Sequence, residues 1–245
     1  MKIFVIPDTQ CKPGIKLNHL EAAGNYIAAK KPDVVVHLGD HWDMHSLSSY
    51  DEGKKAAEGA RYDKDIDAGI KGMEILNASI HQNKKYKPRK IFLLGNHENR
   101  IERHTETYPA LDGKLSYKDL ELKRFGWEMH DFLKIVRING VHFSHYFHPM
   151  NSSNPYTGKA PNKLANIGFS FVMGHQQGFD VAMKELANGK TIRALVAGSF
   201  YQHKEKYKGY QGNHHWRGCL MLHEVKDGNY GLMELSMSYL LKEWL

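Results

Sequence analysis

Residues 33–43 read DVVVHLGDHWD and join an apolar run to a polar cluster. The run Asp33–Leu38 is short and rich in valine, which predicts a buried β-strand that ends where the cluster begins. Similar runs occupy Lys2–Pro7 and Lys90–Leu94. These three runs are the predicted strands of one sheet.

Two segments between these runs have apolar residues at helical spacing. They are Leu17–Lys30 and Tyr62–Asn83. Strands that alternate with helices predict a parallel sheet covered by helices. Ligands of open α/β sheets bind beyond the carboxyl ends of the strands.

The second half of the chain has a different pattern, with short apolar runs and tight-turn signals such as Asn139-Gly140 and Asp227-Gly228. The predicted strands there are Leu133–Ile138, Val141–Ser144, Gly168–Met173, Arg193–Ala197, Gly218–Val225 and Tyr230–Met237. We expect them to form a mainly antiparallel second sheet that shares one core with the first. Residues 146–165 are polar and predict a loop or lid. No linker divides the chain, so we expect residues 1–245 to form a single domain.

Composition narrows the function classes. The 245 residues are 41% hydrophobic and 25% charged, which indicates a globular protein rather than a disordered one. No apolar run approaches the roughly 18–20 residues that a membrane helix needs, so we expect no membrane partner. The first apolar run is too short for a signal peptide, and two cysteines make no disulfide scaffold, so we expect a cytoplasmic protein. The formal charge of +7 favours a phosphate-bearing partner.

Polar clusters follow five of the apolar runs. They are Asp8-Thr9-Gln10, Gly39-Asp40-His41-Trp42-Asp43, Gly95-Asn96-His97-Glu98, His145 and Gly174-His175-Gln176-Gln177. A single aspartate at a strand end is usually a turn former or a helix cap. Five clusters in this order, each at the carboxyl end of a strand, instead indicate one shared polar site.

This series resembles the motif set of the calcineurin-like metallophosphoesterase superfamily, D-x-H, G-D-x-x-D, G-N-H-E, H and G-H-x-H. The resemblance spans Asp8 to Gln177 and implies an α/β fold with four layers, an α/β/β/α sandwich. It also implies hydrolysis of phosphoesters by two divalent metal ions. It does not select a substrate, because members include protein phosphatases, nucleotide phosphodiesterases and DNA-repair nucleases.

The resemblance assigns roles by position. Asp40 would bridge the two metal ions, and a metal-activated hydroxide would attack phosphorus in line. Asp8, Gln10 and Gln177 would complete the first metal position, and Asn96, His145 and His175 the second. His97 would protonate the leaving oxygen, and Asp43 would orient His97.

The sequence departs from the family pattern at the first metal position, where Gln10 and Gln177 replace histidines. A shell of carboxylate and amide oxygens suits Mn²⁺ or Mg²⁺ better than tightly held Zn²⁺ or Fe. We therefore favour Mn²⁺ and expect the first ion to bind more weakly than the second. The alternative is that His41 or His45 supplies the missing ligand.

Other side chains near these motifs are candidates for substrate contact. Arg100 could bind a substrate phosphate, and Arg103 could do so too, or both could lie on a solvated helix face. His41 and Trp42 are expected to line the pocket. Glu98 is expected to brace its loop rather than to bind metal.

The segment Tyr201–Arg217 interleaves lysines with aromatic residues. Its lysines are Lys204, Lys206 and Lys208, and its aromatic residues are Tyr201, Tyr207, Tyr210 and Trp216. This mixture suits a nucleic-acid backbone and stacked bases, or else is a solvated hairpin loop.

The favoured function is a phosphodiesterase that acts on nucleic acid or a nucleotide. An opening of the form D-x-Q resembles compact phage- and bacteria-encoded phosphoesterases. The nearest alternative is a phosphomonoesterase, which includes protein phosphatases, although Met44 here takes the place of the arginine in their G-D-x-x-D-R-G motif. The third alternative is a metal-binding scaffold without activity.

Overall fold

A computed structural model describes residues 1–205 and 208–245 of the chain. Six strands in the order β11-β10-β1-β2-β3-β4 form the first sheet. They are β1 (Ile3–Ile6), β2 (Val34–His37), β3 (Arg89–Leu93), β4 (Glu128–His130), β10 (Gly218–Lys226) and β11 (Asn229–Ser236). Strands β1 to β4 run parallel, and the hairpin β10–β11 adds to β1 in antiparallel fashion.

The second sheet has the strand order β5-β6-β7-β9-β8. Its strands are β5 (Val136–Ile138), β6 (Val141–Ser144), β7 (Phe171–Met173), β8 (Phe179–Glu185) and β9 (Thr191–Ala197). The α-helices are α1 (Asn18–Lys30), α2 (Tyr62–Ile80), α3 (Arg100–Thr107), α4 (Ala160–Ile167), α5 (Gly209–Gly212) and α6 (Met237–Glu243). Short 3₁₀ turns occupy His45–Leu47, Lys55–Ala57, Pro109–Leu111 and Tyr117–Leu120.

The layers follow from the alternation of side chains along each strand. In β1, Phe4 and Ile6 pack into the cluster that contains the apolar faces of α1, α2 and α6. Ile3 and Val5 point the other way, into the core shared with the second sheet. Helix α4 covers the outer face of the second sheet through Leu164. The expected α/β/β/α sandwich is confirmed.

Two expectations about the second half of the chain are wrong. The second sheet is mixed, because β7 pairs in parallel with both β6 and β9. Helix α4 forms the crossover between β6 and β7 that their parallel pairing requires. It begins within residues 146–165, the segment expected to be a loop. The last two predicted strands, β10 and β11, return to the first sheet, where β10 aligns Leu222 with Ile3.

The carboxyl ends of five strands meet at one edge of the sandwich. Asp8 and Asp40 follow β1 and β2, and Asn96 follows β3. His145 and His175 follow β6 and β7 of the second sheet. The parallel pairing inside each sheet therefore brings all five polar clusters to one place.

Candidate metal centre

Backbone hydrogen bonds join the loops after β1 and β2. The N–H groups of Thr9 and Gln10 both donate to the carbonyl of Asp40, at 3.1 and 2.9 Å. Asp40 itself has a positive φ of 51°, which turns its side chain toward the neighbouring loop. That loop must come close, because a Cβ at Gly95 would lie 2.2 Å from Asp40 Oδ1. Glycine at position 95 therefore lets the Asp40 carboxylate enter the centre.

The Glu98 carboxylate holds together the loops that follow β2 and β3. It is fully buried and accepts four backbone N–H bonds, from Asp40, His41, Trp42 and Gly95, at 2.7 to 2.9 Å. Hydrogen bonds to a buried charge are stronger than those between neutral groups. The expected bracing role of Glu98 is confirmed.

We predict that Glu98→Gln destabilises the fold by about 3 kcal/mol, since the new amide NH₂ faces two backbone donors that lose their acceptor. Urea unfolding followed by circular dichroism measures the change. Glu106→Gln, on the exposed surface of α3, is the matched control and should change stability little. Equal stability of the two variants would contradict the bracing role.

Two histidines from the second sheet face Asp40. The ring of His145 is buried, with Nδ1 2.7 Å from the Leu38 carbonyl, so Nδ1–H donates there. Its Nε2 lies 3.4 Å from Asp40 Oδ2 and 2.9 Å from Asn96 Oδ1. The same Asn96 oxygen lies 2.7 Å from His175 Nδ1. A histidine whose other nitrogen donates to a carbonyl is oriented as metal-ligating histidines usually are.

These side chains form a compact group of possible ligands. One ligand atom from each of Asp40, His145 and His175 lies within 4.8 Å of the others. Asn96 contributes an amide oxygen at the same point. Carboxylate, imidazole and amide oxygen together suit a divalent transition ion.

The charges in the centre are strongly perturbed. Burial opposes ionisation of Asp40, but His145 and His97 outweigh it and lower the pKa of that carboxyl. Burial acts downward on His145, yet Asp40 raises the pKa of its imidazole to about 9. Burial and the nearby Asp40 raise the pKa of Asp8 to about 7. A divalent cation among these groups would favour the deprotonated form of each, so their chemistry fits a metal ion.

The first metal position shows a second sign of this fit. Asp8 and Gln10 are fully buried. Within residues 1–205 and 208–245, neither Asp8 Oδ2 nor the two amide atoms of Gln10 has a hydrogen-bond partner. Buried polar atoms are rarely left without a partner unless an ion or a ligand satisfies them.

Gln177 is placed differently from Gln10. Its Oε1 accepts a hydrogen bond from the Tyr201 hydroxyl at 2.6 Å and another from the Lys208 ammonium. The amide oxygen expected to bind the first ion is therefore already engaged. Burial lowers the pKa of Lys208 to about 8, although Asp8 acts in the opposite direction.

His97 lies at the edge of the centre. Its Nδ1 is 2.7 Å from the Asp43 carbonyl and 3.4 Å from the Asp43 carboxylate, while Nε2 is 3.8 Å from Asp40 Oδ2. Burial lowers the pKa of His97, but Asp40 and Asp43 outweigh it and raise that pKa above its ordinary value. The structure thus brings His97 and Asp43 together beside the possible ligands.

Arg100 supports this arrangement from α3. Its guanidinium donates to the carbonyls of Asp43 and Met44 at 2.9 and 3.1 Å, and Nη2 lies 3.4 Å from His97 Nε2. These bonds hold the loop that carries Asp43. The binding of a substrate phosphate by Arg100 stays a prediction, and Arg103 lies exposed further along the helix.

The expected pocket role of His41 and Trp42 is wrong. His41 is fully buried, its Nδ1 is 2.7 Å from Thr9 Oγ1, and its Nε2 donates to the Gly69 carbonyl at 2.9 Å. Trp42 packs in the core beneath the loop and donates to Ile66. Both rings point into the helix layer because α2 packs closely there.

The alternative ligands for the first metal position do not reach it. The ring nitrogens of His41 are used as described. His45 Nε2 donates to the Ala56 carbonyl at 2.7 Å, and its Nδ1 lies 3.5 Å from Asp51. Neither histidine therefore replaces the imidazoles missing at Gln10 and Gln177.

The basic and aromatic segment is only partly a surface for stacking. Lys206 and Tyr207 lie outside the described residues. Tyr201 is buried, with the guanidinium of Arg217 4.5 Å from its ring centre. The ring of Trp216 packs against that of Phe179, with 4.7 Å between their centres. Tyr210, at 80% exposure, is therefore the aromatic side chain described in this segment that remains most open to solvent.

Sequence reasoning missed two lysines near the centre, Lys12 and Lys163. Lys12 pairs with Glu205 at 2.6 Å and lies 3.9 Å from Asp43. Lys163, buried on α4, acts electrostatically on His175. Lys208 was noticed only as part of a basic surface. Lys12 could have been found, because it lies four residues after Asp8, but Lys163 depends on a helix that was not predicted.

Comparisons with known proteins agree with this geometry. A family model described as calcineurin-like phosphoesterase matches residues 1–228, so the chain belongs to that family. Membership, together with the ligand group at Asp40, indicates a metal-dependent phosphoester hydrolase.

Other comparisons add less. A search of curated proteins finds no match. Among solved structures 45 chains match. One crystal structure among them is 10% identical, with coverage of 96% of this chain and 99% of that chain and a TM-score of 0.42. Across residues 1–205 and 208–245, no helix has the length and apolar character needed to cross a membrane.

Proposed function

We propose that this chain is a phosphodiesterase that hydrolyses phosphodiester bonds of nucleic acids or nucleotides. The observation that carries the proposal is the convergence of Asp40, Asn96, His145 and His175 on one point, with His97 beside them. The family membership restricts the reaction to phosphoester hydrolysis. The positive charge near the centre favours a polyanionic substrate, such as a nucleic acid with its phosphodiester backbone.

The four converging side chains would hold a divalent ion. Bound there, such an ion supplies a Lewis acid and lowers the pKa of water toward neutrality. The first metal position, beside Asp8, is rich in oxygen donors. These donors favour Mn²⁺ for any further ion that binds there. The bond from His145 Nδ1 to Leu38 fixes the imidazole that faces Asp40.

His97 would donate a proton to the leaving oxygen. Its Nδ1 is held by the Asp43 carbonyl, so Nε2 is the nitrogen that faces the centre. The carboxylates of Asp40 and Asp43 favour the protonated imidazole, which is the form that can act as an acid. Arg100 keeps the Asp43 loop in place.

Positive charge near the centre supports a nucleic-acid substrate. Lys12 lies 3.9 Å from Asp43, Lys208 contacts Gln177, and the chain carries a formal charge of +7. Such charge attracts a phosphate backbone and would weaken binding at high salt. Cys11 and Cys219 are both buried as free thiols, which suits the reducing cytoplasm.

Parallel hydrolysis assays test the proposal. Metal-stripped protein receives Mn²⁺, Mg²⁺, Zn²⁺ or no metal, and acts on bis-p-nitrophenyl phosphate, p-nitrophenyl phosphate, and labelled single- and double-stranded DNA. We expect Mn²⁺-dependent cleavage of the diester and of DNA. Cleavage of the monoester alone would replace the proposal by a phosphomonoesterase, and inactivity with every metal would replace it by a scaffold.

A further inference from the structure

The two metal positions of the centre differ in their donors. The second metal position has two imidazoles, the Asp40 carboxylate and the Asn96 amide oxygen. The first would have Asp8 and the neutral amides of Gln10 and Gln177 in addition to Asp40, as the family pattern assigns them. Neutral amide oxygens hold transition ions less firmly than imidazoles do. The first metal position is therefore the weaker of the two by donor chemistry alone.

A lysine also reaches the first metal position. The ammonium of Lys208 donates to Gln177 Oε1 and, at 2.9 Å, to the Tyr201 hydroxyl. It lies 5.6 Å from the centre of the Tyr201 ring. These contacts hold a side chain that would otherwise extend into solvent. The ammonium therefore occupies a defined place next to Gln177.

The contacts of Gln177 and His175 link Lys208 to Asp8. Asp8 is fully buried, and its Oδ1 accepts the N–H of His175 at 3.1 Å, two residues before the Gln177 that Lys208 contacts. Burial lowers the pKa of Lys208, although the Asp8 carboxylate acts to raise that pKa. An ammonium that compensates this carboxylate reduces the attraction that Asp8 offers to a divalent ion, and it repels such an ion directly.

We propose that Lys208 supplies positive charge at the first metal position, so that the protein binds one divalent ion tightly at the second position and another only weakly. The inference rests on the proposed function, since it concerns the same centre. Lys208 then has two effects. It engages the Gln177 oxygen that a first ion would need, and its ammonium lies where a substrate phosphate oxygen could pair with it.

Metal titration of the full chain tests this. Metal-stripped protein is titrated with Mn²⁺ by calorimetry, and electron paramagnetic resonance at the same ratios distinguishes single Mn²⁺ ions from coupled pairs. For the unmodified chain we expect one ion to bind tightly at the second metal position. A second ion should bind about 100-fold more weakly at the first metal position, beside Lys208. For Lys208→Met we expect this second, weaker ion to bind about 10-fold more tightly, with coupled pairs of Mn²⁺ in the spectrum.

Two further variants separate charge from hydrogen bonding. Lys208→Gln keeps a donor for Gln177 and Tyr201 without the charge, and should behave as Lys208→Met does. Lys208→Arg keeps the charge and should leave the second ion weak. Lys204→Met, an exposed lysine in the same segment, is the matched control and should change neither ion. A thermal melt of each variant identifies any that fails to fold.

The outcomes separate this inference from the proposed function. Two equally tight ions in the unmodified chain overturn the role of Lys208, and so does an unchanged second ion in folded Lys208→Met and Lys208→Gln. Normal metal binding without diester hydrolysis contradicts only the proposed phosphodiesterase. Absence of any tight ion overturns both.

Discussion

Asp40→Asn should abolish tight metal binding and reduce hydrolysis to the background rate. Asparagine keeps the size of the side chain and tolerates the positive φ of 51° at this position, so the loop should survive. The charge that faces His145 and His97 is lost, however. Removing a residue that only hydrogen-bonds to a metal ligand typically lowers metal affinity by about 10- to 100-fold. Asp40 is expected to be a ligand itself, so we expect its loss to weaken Mn²⁺ binding by more than about 100-fold.

Calorimetric Mn²⁺ titration and diester hydrolysis measure the two effects of Asp40→Asn. Asp67→Asn, on the exposed face of α2, makes the same chemical change away from the centre and should leave both unaffected. Full metal affinity in Asp40→Asn would show that the ion binds elsewhere.

His97→Ala should keep the metal ion but lower turnover by about 10²- to 10⁴-fold, the usual contribution of a general acid. Its ring bonds to Asp43 rather than to the group formed by Asp40, His145 and His175. The loss should depend on the leaving group. A nitrophenolate needs little protonation, so the loss should be smaller for bis-p-nitrophenyl phosphate than for DNA.

Rates on both substrates, with metal content measured in parallel, test the role of His97. His81→Ala removes an exposed histidine at the end of α2, outside the Tyr201–Arg217 segment, and should have no effect on either rate. Loss of metal from His97→Ala would make this residue a ligand. An equal loss on both substrates would contradict its role as the acid.

The sequence predicted that these polar side chains lie together for a simple reason. Asp8, Asp40 and Asn96 each come directly after a buried apolar run, and the ends of parallel strands share an edge of the sheet. The bracing role of Glu98 could also be predicted, since it follows Asn96 closely and its loop needs an acceptor. Its four N–H bonds depend on loop turns that no local pattern reveals.

The rest depended on contacts distant in the chain. The place of β10 beside β1 brings together residues more than 200 apart in sequence, and the short helix α4 has too few residues for a clear periodic pattern. His41 lies inside a polar motif, yet the hydrogen bond from its Nε2 to the Gly69 carbonyl holds the ring in the helix layer. Lys208 reaches Gln177 from another loop, which spacing does not reveal.

Anomalous diffraction from crystals of the chain grown with Mn²⁺ tests the location of the metal centre most directly. We predict a strong Mn²⁺ peak bounded by Asp40, Asn96, His145 and His175, with a weaker one or none beside Asp8. A strong peak elsewhere, with none among these four side chains, would contradict the account.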